Sequence, residues 1–215
     1  MYNLHCHSLL SDGDLLPSEL AVRYADKGYR AIAITDHVDY SNIKVVVPAI
    51  LDFCRHWPKE STLKVFPGIE ITHVPLAHFR PLVRFARNKG IKVIVGHGET
   101  PVEPVVAGTN RAALEAGVDI LAHPGQISSE DILLAKKLGV FLEITSRKGH
   151  SQTNSYVAQR CRQLGARLII NTDSHRPEDI ISLAEQRKVA LDIGLTDNEI
   201  DNAFREVELF LKTRR

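Results

Sequence analysis

Short apolar runs alternate with longer amphipathic stretches along nearly all of this 215-residue chain, and that alternation restricts the fold more than any other feature. The runs "YNLHCH" (2–7), "AIAITD" (31–36), "LKVFPGIEI" (63–71), "KVIVGH" (92–97), "DILAH" (119–123), "VFLEIT" (140–145) and "RLIINTD" (167–173) read as strands. Several are almost continuously hydrophobic, as strands buried on both faces of a parallel sheet are. The first helical stretch opens at Pro17 and stops near Gly28, with Leu20, Ala21, Tyr24 and Ala25 on one stripe. Further helices are predicted near 43–57, 78–89, 109–116, 129–138, 154–165 and 178–189. A last one follows Thr196, a fitting N-cap, and buries Ile200, Phe204, Val207 and Leu211. Seven strand–helix units in strict alternation predict a parallel β/α protein.

The polar residues choose between an open sheet and a barrel. His5 and His7, Asp36 and His37, Glu70, His97 and Glu99, His123, Glu143, and Asp173 and His175 all sit at or just past the C-terminal ends of these strands. In a parallel barrel those ends share one rim, where active sites are built, whereas an open sheet would spread them along a line. A closed or nearly closed barrel is therefore expected, occupying 1–215 as one domain. His5 and His7 are two apart on a strand, so both side chains point the same way and can grip one cation, while Cys6 points to the opposite face. "NTDSH" (171–175) repeats that spacing with Asp173 and His175. Imidazoles and carboxylates together suit Zn, Mn or Fe, and without cysteine ligands a closed structural zinc site is not indicated. Six of the chain's ten histidines fall on the predicted rim, which isolated motifs such as "TDH" or "AHP" would not explain by chance.

Composition narrows the function classes. Lys+Arg 27 against Asp+Glu 26 leaves a formal net charge of +1, unlike the strongly basic balance of bulk nucleic-acid binders. No apolar stretch reaches the roughly 20 residues of a membrane span, so no membrane partner is expected. Three widely spaced cysteines make no disulfide framework, and "MYNLHCHS" has no secretory pattern, so a cytoplasmic location is expected.

The segments "HCHSLLSDG" (5–13), "ITDH" (34–37), "GIE" (68–70), "GH" (96–97), "AHPG" (122–125) and "NTDSH" (171–175), in this order, resemble the PHP (polymerase and histidinol phosphatase) family from residue 3 to about 180. The resemblance implies a distorted (β/α)7 TIM-like barrel carrying two to three divalent cations. It implies that His5, His7, Glu70 and Asp173 hold the first, that Glu70 bridges to a second completed by His97 and His123, and that Asp12, His37 and His175 hold the third. Asp12 stands where some relatives have histidine. Asp36 is expected to orient an imidazole from behind.

Such a cluster suits phosphate ester hydrolysis, with a hydroxide bridging two cations as nucleophile. A small phosphorylated substrate is expected, histidinol phosphate and a nucleotide or nucleic-acid 3′ end being candidates. For the anion, "EITSRKGHSQTN" (143–154) offers Thr145, Ser146, Arg147, Lys148, His150 and Asn154, and Arg147 and Lys148 are the chief candidates. Arg176 and Glu99 are further substrate-binding candidates. Glu143 is expected to orient a ligand or Arg147. His56 and His78 read as surface or packing residues, and His73 stays open. The alternatives are a non-catalytic PHP-fold scaffold or RNA-binding subunit, against which charge and the full ligand set speak, and an amidohydrolase, for which no carboxylated-lysine motif is evident.

Overall fold

The computed structural model describes residues 1–214. Its elements are β1 (Tyr2–Asn3), α1 (Pro17–Asp26), β2 (Ala31–Ile34), β3 (His37–Val38), α2 (Ile43–His56), β4 (Lys64–Ile71), α3 (Phe79–Lys89), β5 (Val93–His97), α4 (Thr109–Ala116), β6 (Ile120–Ala122), α5 (Ser129–Leu138), β7 (Phe141–Thr145), α6 (Asn154–Leu164), β8 (Leu168–Asn171), α7 (Leu183–Asp192) and α8 (Asp197–Thr213). Every strand pair is parallel, in the order β1-β2-β4-β5-β6-β7-β8. β3 also pairs with β4, at Glu70 and Ile71, while β2 pairs with the same strand from Lys64 to Pro67. β2 and β3 are thus two pieces of one strand broken at Thr35–Asp36, and the seven predicted strand positions are present in a nearly closed barrel.

Closure departs from a regular ladder. The predicted strand 2–7 is regular only over Tyr2–Asn3. Beyond it the Asn3 carboxamide oxygen accepts the Thr172 N–H at 2.8 Å, and that of Asn171 accepts the Leu4 N–H at 2.9 Å. Higher up, Asp173 N–H donates to His5 O at 3.0 Å and His7 N–H to Ser174 O at 2.9 Å. Side-chain amides thus substitute for backbone partners at the seam.

Strand alternation stratifies the barrel interior. On β5 the inward positions are Val93, Val95 and His97; on β7 they are Phe141, Glu143 and Thr145; on β8 and its extension they are Ile169, Asn171 and Asp173. The lower members join Leu4, Ala31, Ala33, Ile120 and Ala122 in an apolar plug that includes Val207 and Leu211 of α8. α8 covers the N-terminal end, where Phe210 packs edge-on against Phe141, the first residue of β7. The outward positions Ile94, Leu121, Leu142, Ile144 and Ile170 belong to the larger core under the helices. Period 2 therefore carries β5 and β8 from apolar at the bottom to the candidate donors His97 and Asp173 at the top, and β7 to Glu143.

Caps set the helix limits. Thr196 caps α8 as expected, and Glu199 completes a reciprocal cap with it. The predicted helix 178–189 instead begins at Leu183, because Ser182 and Glu185 form the same cap there and Pro177–Asp179 makes only a 3-10 turn. Among the described residues no helix is long and apolar enough to cross a membrane. Cys6, Cys54 and Cys161 are free thiols.

Candidate metal centre

The rim residues converge. His5 Nε2 lies 3.4 Å from Glu70 Oε1 and 3.5 Å from Asp173 Oδ1, and His7 Nε2 lies 3.1 Å from Asp173 Oδ1 and 3.7 Å from Glu70 Oε2. His123 Nε2 is 3.7 Å from Asp173 Oδ2 and 3.9 Å from Glu70 Oε1. Asp12 Oδ1 faces His175 Nε2 at 3.3 Å, His37 Nε2 at 3.5 Å and His7 Nδ1 at 4.0 Å. His37 Nδ1 reaches Glu70 Oε2 at 2.7 Å. Donor atoms roughly 2.1 Å from a common cation lie about 3.0–4.2 Å from one another, so these separations are those of coordination edges.

Burial makes the point sharper. His5, His7, Glu70, His97, His123, Asp173 and His175 are all buried. Among them His5 Nε2, both ring nitrogens of His7, both oxygens of Glu70 and His123 Nδ1 make no aligned hydrogen bond. A buried polar atom without a partner costs about 1–3 kcal/mol, so a crowd of them facing one another fits cations. The donors form four overlapping groups, His7–Asp12–His37–His175, His5–His123–Asp173, His5–His7–Glu70 and Glu70–His97–His123. All nine residues that the resemblance implies take part in these groups, and His7 also joins the Asp12 group.

The charges are mutually arranged. Burial opposes ionisation of Glu70, yet His5 and His37 beside it hold its carboxyl well below the usual range. Burial pushes the neighbouring Asp173 carboxyl up to about 6, and the Glu70 charge adds to that. Burial also disfavours a charged His5, but Glu143, Asp173 and Glu70 outweigh it and raise its proton affinity. Burial followed by the imidazoles of His37, His175 and His5 keeps His7 neutral, and burial with His97 does the same for His123. Asp12 is half-exposed; its desolvation is overcome by the His175 hydrogen bond and by His37, which bring it down to about 2.

Supporting contacts fix the ligands. Glu143 accepts from His5 Nδ1 at 2.8 Å and from Asn171 Nδ2 at 2.8 Å, and its other oxygen accepts the His123 N–H at 3.2 Å. It therefore aims His5 Nε2 into the cluster and does not touch Arg147. Asp36 accepts from Ser8 N–H at 2.7 Å and from the Ser8 and Ser11 hydroxyls at 2.8 Å, so it shapes the loop that delivers Asp12 and does not orient His37. His123 and Asp173 have φ of 27° and 50°, left-handed conformations costing about 1–3 kcal/mol each that only a constrained site retains. Gly98 has to be glycine, since a Cβ there would meet Ala122 O at 2.3 Å where the loops bearing His97 and His123 cross.

The cleft above the cluster has a volume of about 450 Å³, with His37, His97, His123, Arg147, Asp173 and His175 in its wall. Of the four substrate-binding candidates only Arg147 lines it, donating to Asp173 O at 3.2 Å and touching His175 Nδ1. The other three lie outside its wall. Lys148 is exposed and lines a separate depression with Glu178 and Lys188. Arg176 is 71 % exposed and faces Asp14 at 3.6 Å, because the chain turns outward into the 3-10 turn after His175. Glu99 accepts the backbone N–H groups of Gly108 and Asn110 at 3.0 and 2.9 Å, anchoring the start of α4. Asn154 likewise pairs with the Thr145 backbone through both ends of its carboxamide. Conversely His73 and Glu103 line the cleft, and Glu103 was not singled out from the sequence. It lies in a loop with no periodicity to reveal its direction.

Known proteins resemble this chain in sequence and fold. A solved structure of archaeal ribonuclease P with mature tRNA contains a chain of the same fold, with TM-score 0.72 and 17 % identity over 99 % of this chain and 91 % of that one. An uncharacterized protein of Methanocaldococcus jannaschii is 42 % identical over 94 % of this chain and 93 % of its own length. A probable phosphatase of Thermoanaerobacter sp. (strain X514) is 29 % identical, the match spanning 46 % of this chain and 45 % of that protein. The PHP domain model matches residues 3–138, which contain seven of the nine donor positions, and the chain belongs to that family.

Proposed function

We propose that the protein is a metal-dependent phosphoesterase acting on a small phosphomonoester. The observation that carries this reading is the buried set of unpaired nitrogen and oxygen donors at the barrel mouth. Divalent cations bound there would neutralise phosphoryl oxygens and supply an activated water at neutral pH. His5, His7, Glu70 and Asp173 would hold the first, Glu70, His97 and His123 the second, and Asp12, His37 and His175 the third; Zn, Mn and Fe all suit such ligands.

The chain's own groups do the rest. Glu143 keeps the His5 proton on Nδ1 and leaves Nε2 free to ligate. Arg147, half-buried beside Asp173 and His175, presents a guanidinium that can fork onto phosphoryl oxygens at the cleft wall. The cleft accepts a ligand of metabolite size. A relative named a probable phosphatase supports the same chemistry.

The test is turnover of p-nitrophenyl phosphate by chelator-stripped protein reconstituted with Mn²⁺ or Zn²⁺, followed by a panel of phosphorylated metabolites. Because outer-shell partners alone cost 10–100-fold, His7→Ala and Glu70→Ala should each lose more than ~100-fold. Protein that takes up no cation and instead binds tRNA would replace this reading with the scaffold one.

A further inference from the structure

Behind the rim, one hydroxyl ties together the two chain segments that bring His5, His7, Asp173 and His175. Tyr24 lies on the inner stripe of α1 and is fully buried. Its oxygen stands 2.7 Å from Thr172 Oγ1, 2.7 Å from Ser174 Oγ and 2.9 Å from Asn3 Nδ2. None of these partners belongs to α1. Thr172 and Ser174 flank Asp173, and Asn3 Nδ2 also donates to the His5 carbonyl at 3.0 Å.

Counting protons fixes the direction of each bond. The Thr172 hydroxyl donates to Asn3 Oδ1 at 3.2 Å, so the Tyr24 proton goes to Thr172 and the Ser174 proton goes to Tyr24. The phenol oxygen therefore donates once and accepts twice. A side chain needed only to fill the stripe would do better as phenylalanine, because a buried hydroxyl costs free energy unless it is bonded. Tyr29, edge-on to Tyr24 at 4.7 Å, spends its own hydroxyl on Ile181 O at 3.1 Å, away from both segments. Asp173, by contrast, needs holding. Its φ of 50° is one that a non-glycine residue keeps only where its surroundings over-determine it. The residues on either side of it bond to one phenol oxygen, and its N–H donates to the same His5 carbonyl that Asn3 grips. The network thus closes around His5 and Asp173.

We propose that Tyr24 is a positioning residue of the metal centre, its hydroxyl fixing Asp173 through Thr172 and Ser174, and His5 through Asn3. It touches no donor atom itself and acts from the far side of the barrel wall. The inference rests on the reading that the rim residues bind cations.

Full-length protein, stripped with chelator, would be titrated with Zn²⁺ in competition with a chromophoric chelator, with thermal melts of the metal-free forms alongside. Wild type, Tyr24→Phe, Ser174→Ala, their double variant and Tyr29→Phe are compared. Tyr24→Phe should weaken Zn²⁺ binding about tenfold, the lower end of what partners supporting a ligand cost. Tyr29→Phe, which loses a hydroxyl from the same core, should lower the melt but leave Zn²⁺ affinity unchanged, since binding to folded protein does not report its stability. The double variant should lose no more affinity than Tyr24→Phe, because Ser174 works through the same oxygen. Should Tyr24→Phe not fold, Ser174→Ala carries the test with a smaller loss in the same direction. Unchanged affinity in both variants, or an equal loss in Tyr29→Phe, would make the network purely structural and overturn the inference alone. Additive losses in the double variant would overturn the route through Ser174. Wild-type protein that binds no Zn²⁺ would bring down the underlying reading as well.

Discussion

Two buried carboxylates at opposite ends of the barrel have opposite surroundings. Asp119, below β6, accepts from Arg87 at 2.5 Å, from Arg214 at 2.6 Å and from the Ile94 N–H at 2.8 Å. Glu70, at the rim, makes no aligned hydrogen bond through either oxygen. Both are shielded from water, so burial does not separate them; partners do. A satisfied buried charge stabilises the fold, whereas an unsatisfied one is tolerated only where something else arrives to satisfy it. The lower end of this barrel is built to stay together, and the upper end is built to receive.

The largest effect should come from removing the satisfied group. Asp119→Ala would strand two arginines and a backbone N–H and cost about 3 kcal/mol in metal-free protein. Glu70→Gln should cost metal-free protein less than that, because neither Glu70 oxygen makes an aligned hydrogen bond, although His5 and His37 lose the charge that they hold ionised. Urea melts of the stripped variants decide this, and equal losses would erase the distinction between the ends. Next in size is the response to cations: at one hundred times its Kd each bound ion adds about 2.7 kcal/mol. At about 2–4 °C per kcal/mol for a chain of this size, wild-type Tm should rise by several degrees per site with Zn²⁺ or Mn²⁺. Asp119→Asn should keep that rise and Glu70→Gln should lose most of it.

Much of this asymmetry was legible in the sequence, for a physical reason. Strand residues alternate, so Val93, Val95 and His97 had to share a face, and a histidine at its upper end had to meet the rim. The same logic placed Glu70, whereas His123 follows the inward Ala122 and reaches the rim only through its φ of 27°. What could not be read depends on residues without a period. The seam at β1 relies on the carboxamides of Asn3 and Asn171, whose choice of backbone partners no local pattern encodes. Glu99 and Glu103 lie four residues apart in one loop, yet one turns to the α4 backbone and the other into the cleft. A loop glutamate before a helix suits a cap as well as a site, and only coordinates separate the two uses.

Glu143 links the two ends, sitting one inward step above the apolar plug and holding His5 and Asn171. Glu143→Gln preserves its shape but weakens its grip on the His5 Nδ1 proton. Cation affinity or kcat/KM should fall about 10–100-fold, less than for a ligand, while the metal-free melt moves little. Isothermal titration with Zn²⁺ measures this. A collapse of the fold in place of an affinity loss would place Glu143 with the structural lower half.

The smallest effect should come from the rim residue that behaves like the lower end. Glu99 sits in the loop after His97, but its carboxylate is spent on the Gly108 and Asn110 N–H groups, much as Asp119 is spent on its arginines. Glu99→Ala leaves those N–H groups to water and should cost about 1 kcal/mol, the scale of a lost helix cap. KM for p-nitrophenyl phosphate should stay within twofold of wild type, because nothing in the cleft loses a contact. A KM increase of tenfold without a change in the melt would mean that Glu99 leaves α4 when substrate binds. The rim would then recruit a residue that the resting fold uses as a cap, and the boundary between the two ends would move with the ligand.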